Sequence, residues 1–314
     1  MNGARHGALS GGVGFVGLGS MGWPMAARLQ AAGFAPCVHD ALPQRARLLA
    51  EQTGCCAVER LDDLARRCRS IVLMLPSSLQ VEEVVEALRP GLAEGALVID
   101  MSSGSPSTTQ RLAHSLRSVG VSLVDAPVSG GPARAATGEL TVMFGGGLED
   151  LARARPLLDA MGTTVHHAGA VGAGQTVKAL NNLMFASGVL ITVEAMLIAQ
   201  RAGLDPATLV DVANCSSGEN FATRFMAKQQ ILSRSFHPAF RLDLMFKDLT
   251  IAADLARETR TTAPFTLQCR ETWSAALGLL GSGHDNSAIA RYCEMIAGDE
   301  LVSEAVTGCS VPRG

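Results

Sequence analysis

The fold turns on the stretch Val13-Gly14-Phe15-Val16-Gly17-Leu18-Gly19-Ser20-Met21-Gly22-Trp23-Pro24-Met25-Ala26. A short β-branched and aromatic run enters three glycines spaced G-x-G-x-x-G, and a run of helical periodicity leaves them. In such a strand–turn–helix unit each glycine has its own duty. Gly17 permits the tight turn, Gly19 lets a phosphate approach the backbone, and Gly22 lets the helix pack closely on the strand. Free N–H groups and the positive end of the helix then face the phosphates. Asp40 ends the next strand signal about twenty residues on, where a carboxylate accepts from both ribose hydroxyls of an adenosine and repels a 2′-phosphate. This points to NAD rather than NADP, with Arg45 and Arg47 close enough to soften the preference. The other meaning of Asp40 is a turn residue ahead of Pro43.

Outward from that stretch, residues 13–168 alternate short apolar runs with amphipathic ones. The spacing predicts strands at 13–16, 36–39, 70–75, 96–99, 122–125, 140–144 and 164–166, and helices between them, including 21–32, 81–88 and 151–161. That alternation is the mark of a doubly wound parallel sheet. After Gly174 it stops. Residues 176–201 form one long segment that is apolar on nearly every face, as in a helix buried between elements. Beyond it, Asp205-Pro206, His237-Pro238 and Ala263-Pro264 punctuate helical stretches without a convincing strand. The fold class is therefore α/β, in three parts: a Rossmann-type sheet domain over 12–172, a long connecting helix over 173–201 and an all-α domain over 202–308. A chain of 314 residues suits about two domains. Residues 308–314 are expected to fray.

The formal net charge of −3 argues against a nucleic-acid partner, which needs a basic face. The eight cysteines show no C-x-x-C spacing, so they read as reduced thiols of a cytoplasmic protein rather than staples or metal ligands. Residues 1–12 carry no apolar core of a signal peptide. The charge-free run 179–193 falls short of the roughly 20 residues of a membrane span, and Asn181 and Asn182 within it favour burial in protein.

Lys178 stands in Gly172-Ala-Gly-Gln175-Thr-Val-Lys178-Ala-Leu-Asn181-Asn182 and is one of three lysines in a chain otherwise charged by arginine. Arginine stays protonated, whereas a desolvated lysine can exchange a proton near neutrality, so Lys178 is a candidate acid/base. On a helix Gln175, Lys178 and Asn182 share one face. A lysine near a helix start with two surface amides is the plainer alternative. Leu75-Pro76-Ser-Ser78 and Asp100-Met-Ser102-Ser103-Gly104 follow strands, at the edge where open α/β sheets bind ligands, and their hydroxyls also suit turns and an N-cap. Asp125-Ala-Pro127-Val-Ser129-Gly130-Gly131 exposes consecutive N–H groups beside a hydroxyl, either a carboxylate nest or a Gly-Pro turn. Lys247 beside Asp248 reads as an ordinary charge pair, His166 and His167 as structural, and Trp23 as helix packing.

Together these segments resemble the β-hydroxyacid dehydrogenase family, in family order over roughly 13–253. The G-x-G-x-x-G is generic; D-A-P-V-S-G-G with G-x-G-x-x-x-K-x-x-N-N is specific. The resemblance implies that Lys178 is the catalytic acid/base and that Ser129, Gly130, Gly131 and Asn182 hold the substrate. It further implies cofactor contacts from Gly17, Leu18, Gly19, Ser20, Met21, Gly22, Asp40, Leu75, Pro76, Ser103 and Lys247, and places Phe240 and Asp248 near a semialdehyde substrate. The implied activity is oxidation of a small 3-hydroxy acid, such as 3-hydroxyisobutyrate, by NAD, or reduction of its semialdehyde, by a homodimer or homotetramer. The alternatives are an NADP-linked glyoxylate, succinic or tartronate semialdehyde reductase and, in another class, a non-catalytic dinucleotide-binding module. Three features depart from or narrow the pattern. Ser103-Gly104 replaces the usual threonine and β-branched residue, which keeps the hydroxyl and loosens the loop. Asn181 stands where 6-phosphogluconate dehydrogenases carry histidine, which argues against a phosphosugar acid, and Lys178 argues against an imine reductase.

Overall fold

The computed structural model describes residues 11–303; the expectations placed on residues 1–10, on Cys309 and on 308–314 lie outside them. Two compact units part between Lys178 and Ala179. The first contains β1 (Gly12–Val16), α1 (Gly22–Ala31), β2 (Cys37–His39), α2 (Pro43–Thr53), β3 (Cys56–Ala57), α3 (Leu61–Arg67), β4 (Cys68–Leu73) and α4 (Ser78–Leu88). It continues through β5 (Leu97–Asp100), α5 (Pro106–Arg117), β6 (Ser122–Asp125), β7 (Val128–Ser129), α6 (Gly131–Thr137), β8 (Leu140–Gly145), α7 (Leu148–Met161) and β9 (Gly162–Gly169). α8 (Ala173–Arg201) starts in this unit and runs into the second.

The strands form one sheet in the order β3-β2-β1-β4-β5-β6-β8-β7, with β9 also on β8. Side chains alternate across it with the period of two that a strand imposes. Val13, Phe15, Val72, Leu97, Ile99 and Val124 enter one core with α1, α2 and α7. Val16, Ile71, Leu73, Val98 and Leu123 enter the other with α3, α4 and α5. A sheet covered on both faces explains why its strands read as continuous apolar runs.

The sheet is parallel-dominated, as the alternation implied, with antiparallel pairs towards its β7 end. From β3 to β6 every pair is parallel, but β8 runs antiparallel to β6 and β7. Parallel neighbours need a crossover of a dozen or more residues, whereas β7 and β8 are separated by residues 130–139 alone. The two-residue strands β3 and β7 are too short to show a period. β4 ends at Leu73 rather than 75, because Met74 and Leu75 turn over the sheet's carboxyl edge, where Leu75 N–H donates to Ser102 Oγ at 2.9 Å.

The second unit continues with α9 (Pro206–Ala213), α10 (Phe221–Phe225), α11 (Leu242–Glu258), α12 (Pro264–Leu280) and α13 (Ile289–Ala297). Among the described residues it has no strand, only an isolated bridge between Arg241 and Asp285. Its core surrounds the fully buried Trp273 with Val189, Val193 and Met196 of α8, Leu242, Met245 and Leu249 of α11, and Ile289. α8 differs from the expectation of burial on every face: Val177, Leu180, Met184, Ile191 and Ile198 are exposed, and their spacing puts them on one stripe. By length and composition α8 also meets what a bilayer crossing requires, with 44% of its most apolar window buried within the protein.

Candidate functional site

The glycine loop joins β1 to α1, and its three glycines are held there for different reasons. Gly17 has φ +95°, and a Cβ there would lie 2.3 Å from the Met74 carbonyl oxygen. At Gly22 a Cβ would meet the Gly17 carbonyl oxygen at 1.9 Å. Gly19 has nothing within 4 Å of the position a Cβ would take. Nothing inside this unit requires glycine there, so the open side of the loop fits a group that approaches the backbone from outside, as a pyrophosphate does. Leu18, Ser20 and Met21 complete the loop. The start of α1 has neither a side-chain cap nor an acidic residue in its first turn, which leaves its N–H groups and dipole for an anion.

Asp40 follows β2 and is nearly buried. Its Oδ2 accepts from Leu18 N–H at 2.7 Å and its Oδ1 from Leu42 N–H at 2.8 Å, so the turn reading of Asp40 describes one of its duties. Each carboxylate oxygen retains a second acceptor direction. The half-exposed Arg45 guanidinium stands 3.9 Å away. Beside it lies a cavity of about 140 Å³ lined by Asp40, Pro43, Ala46, Arg47, Ala57, Val58 and Glu59.

At the carboxyl ends of β5 and β6 the structure assigns work to residues that the sequence left unexplained. Asp125, fully buried, accepts from Gly172 N–H at 2.6 Å and Gln175 N–H at 2.8 Å, and so caps the first turn of α8. Gly145 and Gly174 wall it in; Cβ atoms there would stand 2.5 and 2.8 Å from its oxygens. Gln175, read from sequence as sharing a face with Lys178, is buried and clamps α8 to the loop after β5. Its Oε1 accepts from Gly104 N–H at 2.8 Å, and its Nε2 donates to the Ser102 carbonyl at 2.9 Å and towards Asp100 Oδ2 at 3.4 Å. The loop bearing Ser103 is therefore not loosened. Ser105 N–H donates to Ser78 Oγ at 2.8 Å, and a Cβ on Gly104 would strike that same oxygen.

Burial raises the Asp125 carboxyl from 3.8 to about 6, against the hydrogen bonds from the Gly172 and Gln175 amides. The fold thus favours its protonated form. That stabilisation is complete below about pH 4 and is lost as pH rises through about 6. Asp125→Asn should gain on the parent by about 2 kcal/mol between pH 4.5 and 8, whatever its constant offset. Urea unfolding of both proteins across that range checks this, and a pH-independent difference would refute it.

Ser129 ends β7, and Gly130 and Gly131 follow at φ +134° and +70°. Consecutive positive φ values explain the glycine pair; a Cβ on Gly131 would enter open space. Lys178 lies on α8, one turn before Asn182, partly buried. Within the second unit, Asn182 Nδ2 donates to Asp248 Oδ2 at 2.6 Å, and Lys247 Nζ stands 3.3 Å from Asp248 Oδ1. Asp248 is 1% exposed and Asn182 4%. The Lys247–Asp248 pair read from sequence exists, yet the more deeply buried contact of Asp248 is with Asn182, whose amide it orients. Phe240 precedes α11, its N–H donating to Asp285 Oδ2 at 2.9 Å. His167 is bonded to the Gly146 carbonyl at 2.8 Å and Trp23 packs on the sheet core, both structural roles.

Residues 12–169 match the family described as the NAD binding domain of 6-phosphogluconate dehydrogenase, and residues 172–293 the family described as NAD-binding of NADP-dependent 3-hydroxyisobutyrate dehydrogenase. The chain is 32% identical to 2-(hydroxymethyl)glutarate dehydrogenase of Eubacterium barkeri, over 91% of this chain and 96% of that one. It is 33% identical to 2-hydroxy-3-oxopropionate reductase of Escherichia coli K12, over 92% and 99%. Among solved structures it is similar to 3-hydroxyisobutyrate dehydrogenase of Mycobacterium tuberculosis with L-serine, with a TM-score of 0.85 and 30% identity over 90% of this chain and 99% of that one.

Proposed function

The chain belongs to the β-hydroxyacid dehydrogenase family, NAD(P)-dependent oxidoreductases acting on CH–OH groups, and from that premise we propose that it interconverts a small 3-hydroxy acid and its semialdehyde with NAD. The compounds named with its relatives support the class. 3-Hydroxyisobutyrate, L-serine, 2-(hydroxymethyl)glutarate and 2-hydroxy-3-oxopropionate all carry a carboxylate and an alcohol or aldehyde carbon on the same C2, and differ in the other substituent there. In this reading residues 12–172 bind the dinucleotide, 173–201 connect, and 202–308 shape the substrate pocket and the contacts between copies.

The observation that carries the proposal is Lys178 followed one turn later by Asn182 on a helix whose first turn is fixed by Asp125 and Gln175. Ser129 with the Gly130 and Gly131 amides holds the substrate carboxylate. Asn182, its amide oriented by Asp248, holds the reacting oxygen, and Phe240 borders the C2 substituent. In oxidation Lys178 takes the hydroxyl proton, and in reduction it returns one to the carbonyl oxygen. Asp40 holds the adenosine ribose, the amides around Leu18, Gly19, Ser20 and Met21 face the phosphates, and Leu75, Pro76, Ser103 and Lys247 line the path of the dinucleotide. The bound nicotinamide supplies the hydride acceptor or donor.

Free thiols at all seven described cysteines suit a reducing cytoplasm, and the exposed apolar stripe of α8 supports a homodimer or homotetramer. Reduced-nicotinamide absorbance with NAD and NADP, over a panel of 3-hydroxy acids varied at C2, tests the function. The expected result is turnover with at least about tenfold higher kcat/KM for NAD, since a 2′-phosphate would meet the Asp40 carboxylate. Arg45 and Arg47 flank that position, so a preference for NADP would move the assignment to an NADP-linked semialdehyde reductase. No turnover with any acid in either direction would leave a dinucleotide-binding module.

A further inference from the structure

Three cysteines meet in the first unit at the β3–β2 edge of the sheet, outside every residue used above. Cys37 and Cys56 open β2 and β3 and are register partners in the parallel ladder, so their side chains leave the same face. Paired strands lie about 4.8 Å apart, within the roughly 4.4–6.8 Å between Cα atoms that a disulfide spans. Cys68 reaches the pair from β4, because the intervening partner of Cys37 on β1 is Gly14, where a Cβ would stand only 3.4 Å from Cys68 Cβ. Cys37 shares hydrogen bonds with both Cys68 and Cys56, and Arg67 faces Cys37 and Cys56. Cys56 is exposed, Cys37 half-buried and Cys68 buried, so an oxidant reaches the first two. Hydrogen bonding from Cys68, helped by Cys56 and Arg67 and opposed by burial, holds the Cys37 thiol down at about 6. This favours the thiolate, the nucleophilic form, at Cys37.

We propose that Cys37 and Cys56 form a reversible disulfide that lowers affinity for the dinucleotide. With oxidised glutathione as oxidant, the Cys37 thiolate attacks one sulfur of the glutathione disulfide, whose S–S bond breaks and releases one glutathione thiolate. Cys56, losing its proton, then attacks the Cys37 sulfur and displaces the second glutathione. Two protein thiols lose two electrons and two protons, and one glutathione disulfide becomes two thiols. β3 is coupled to the cavity beside Asp40. It has only two register pairs, Cys37 with Cys56 and Val38 with Ala57, and Ala57, Val58 and Glu59 line that cavity. Drawing Cys56 towards Cys37 shifts that wall. This consequence rests on the proposal that Asp40, which lines the cavity, holds the adenosine ribose; the disulfide itself does not.

The test treats the whole protein with oxidised glutathione, maps peptides without reduction and titrates NAD by calorimetry before and after, with Cys56→Ser and Cys68→Ser in parallel. The expected result is a Cys37–Cys56 crosslinked peptide in the parent and in Cys68→Ser but not in Cys56→Ser. NAD affinity should weaken by about threefold or more on oxidation, as a strained local crosslink would produce, and dithiothreitol should restore it. Glutathione adducts that never resolve, or crosslinks to Cys55 or Cys68 in place of Cys56, would overturn the proposal. A Cys37–Cys56 crosslink that leaves affinity unchanged would overturn its coupling to the cofactor. Failure of the reduced protein to bind NAD would instead count against the functional assignment.

Discussion

Lys178→Ala should reduce kcat by about 10³-fold or more while NAD binding and thermal stability stay close to the parent's. Positioned proton transfer contributes roughly 10²–10⁴ in rate, or about 3–5 kcal/mol of barrier. The partly buried side chain sits in the second turn of α8, so its truncation removes neither the Asp125 cap nor the Gln175 clamp that fixes the helix. Lys178→Arg separates proton transfer from charge: a guanidinium keeps the cation but does not give up its proton near neutrality, so it too should lose activity by two orders of magnitude or more. Steady-state kinetics on the best acid from the panel, with calorimetric NAD titration, check both variants. An arginine variant with a tenth or more of parental kcat would reduce Lys178 to an electrostatic anchor.

The sequence exposed what is local. Gly17, Gly19, Gly22 and Asp40 follow one another at the spacing a strand–turn–helix imposes, and Lys178 and Asn182 stand four apart on one helix. The supports of those residues were hidden because they come from far along the chain. Asp125 caps α8 through bonds to residues 47 and 50 positions away, and Gln175 reaches the loop after β5 over 71 and 73. No window of sequence contains both partners. Asp248 shows the same effect in miniature: its neighbour Lys247 is visible at once, whereas Asn182 lies 66 residues away. The antiparallel course of β8 was not legible because the apolar run 140–144 marks a strand but not its direction, and the two-residue β7 before it carries no periodicity. The stripe on α8 was misread because an apolar face looks the same in sequence whether its own chain covers it or leaves it exposed.

Gly19→Val should weaken dinucleotide binding by about 100-fold or more and leave folding untouched, and its contrast with Gly22→Ala gives the experiment its meaning. Both glycines belong to one motif, yet the structure separates their reasons. A methyl group on Gly22 would stand 1.9 Å from the Gly17 carbonyl oxygen, a backbone atom that cannot step aside without moving β1 against α1. That variant should lose roughly 2–4 kcal/mol of stability, as overpacking at a helix–strand contact does. At Gly19 the same position is empty for 4 Å, so a valine side chain costs the unliganded protein little. It would occupy the space through which phosphate oxygens reach the loop and the uncapped start of α1. Loss of two amide-to-phosphate hydrogen bonds, each worth about 1.5–3 kcal/mol when one partner is charged, gives about 3 kcal/mol or more, and each 1.4 kcal/mol is tenfold in affinity. Thermal melts without NAD, followed by calorimetric titration with it, separate the two effects. Parental NAD affinity in a normally folded Gly19→Val variant would mean that the phosphates do not pass over this loop.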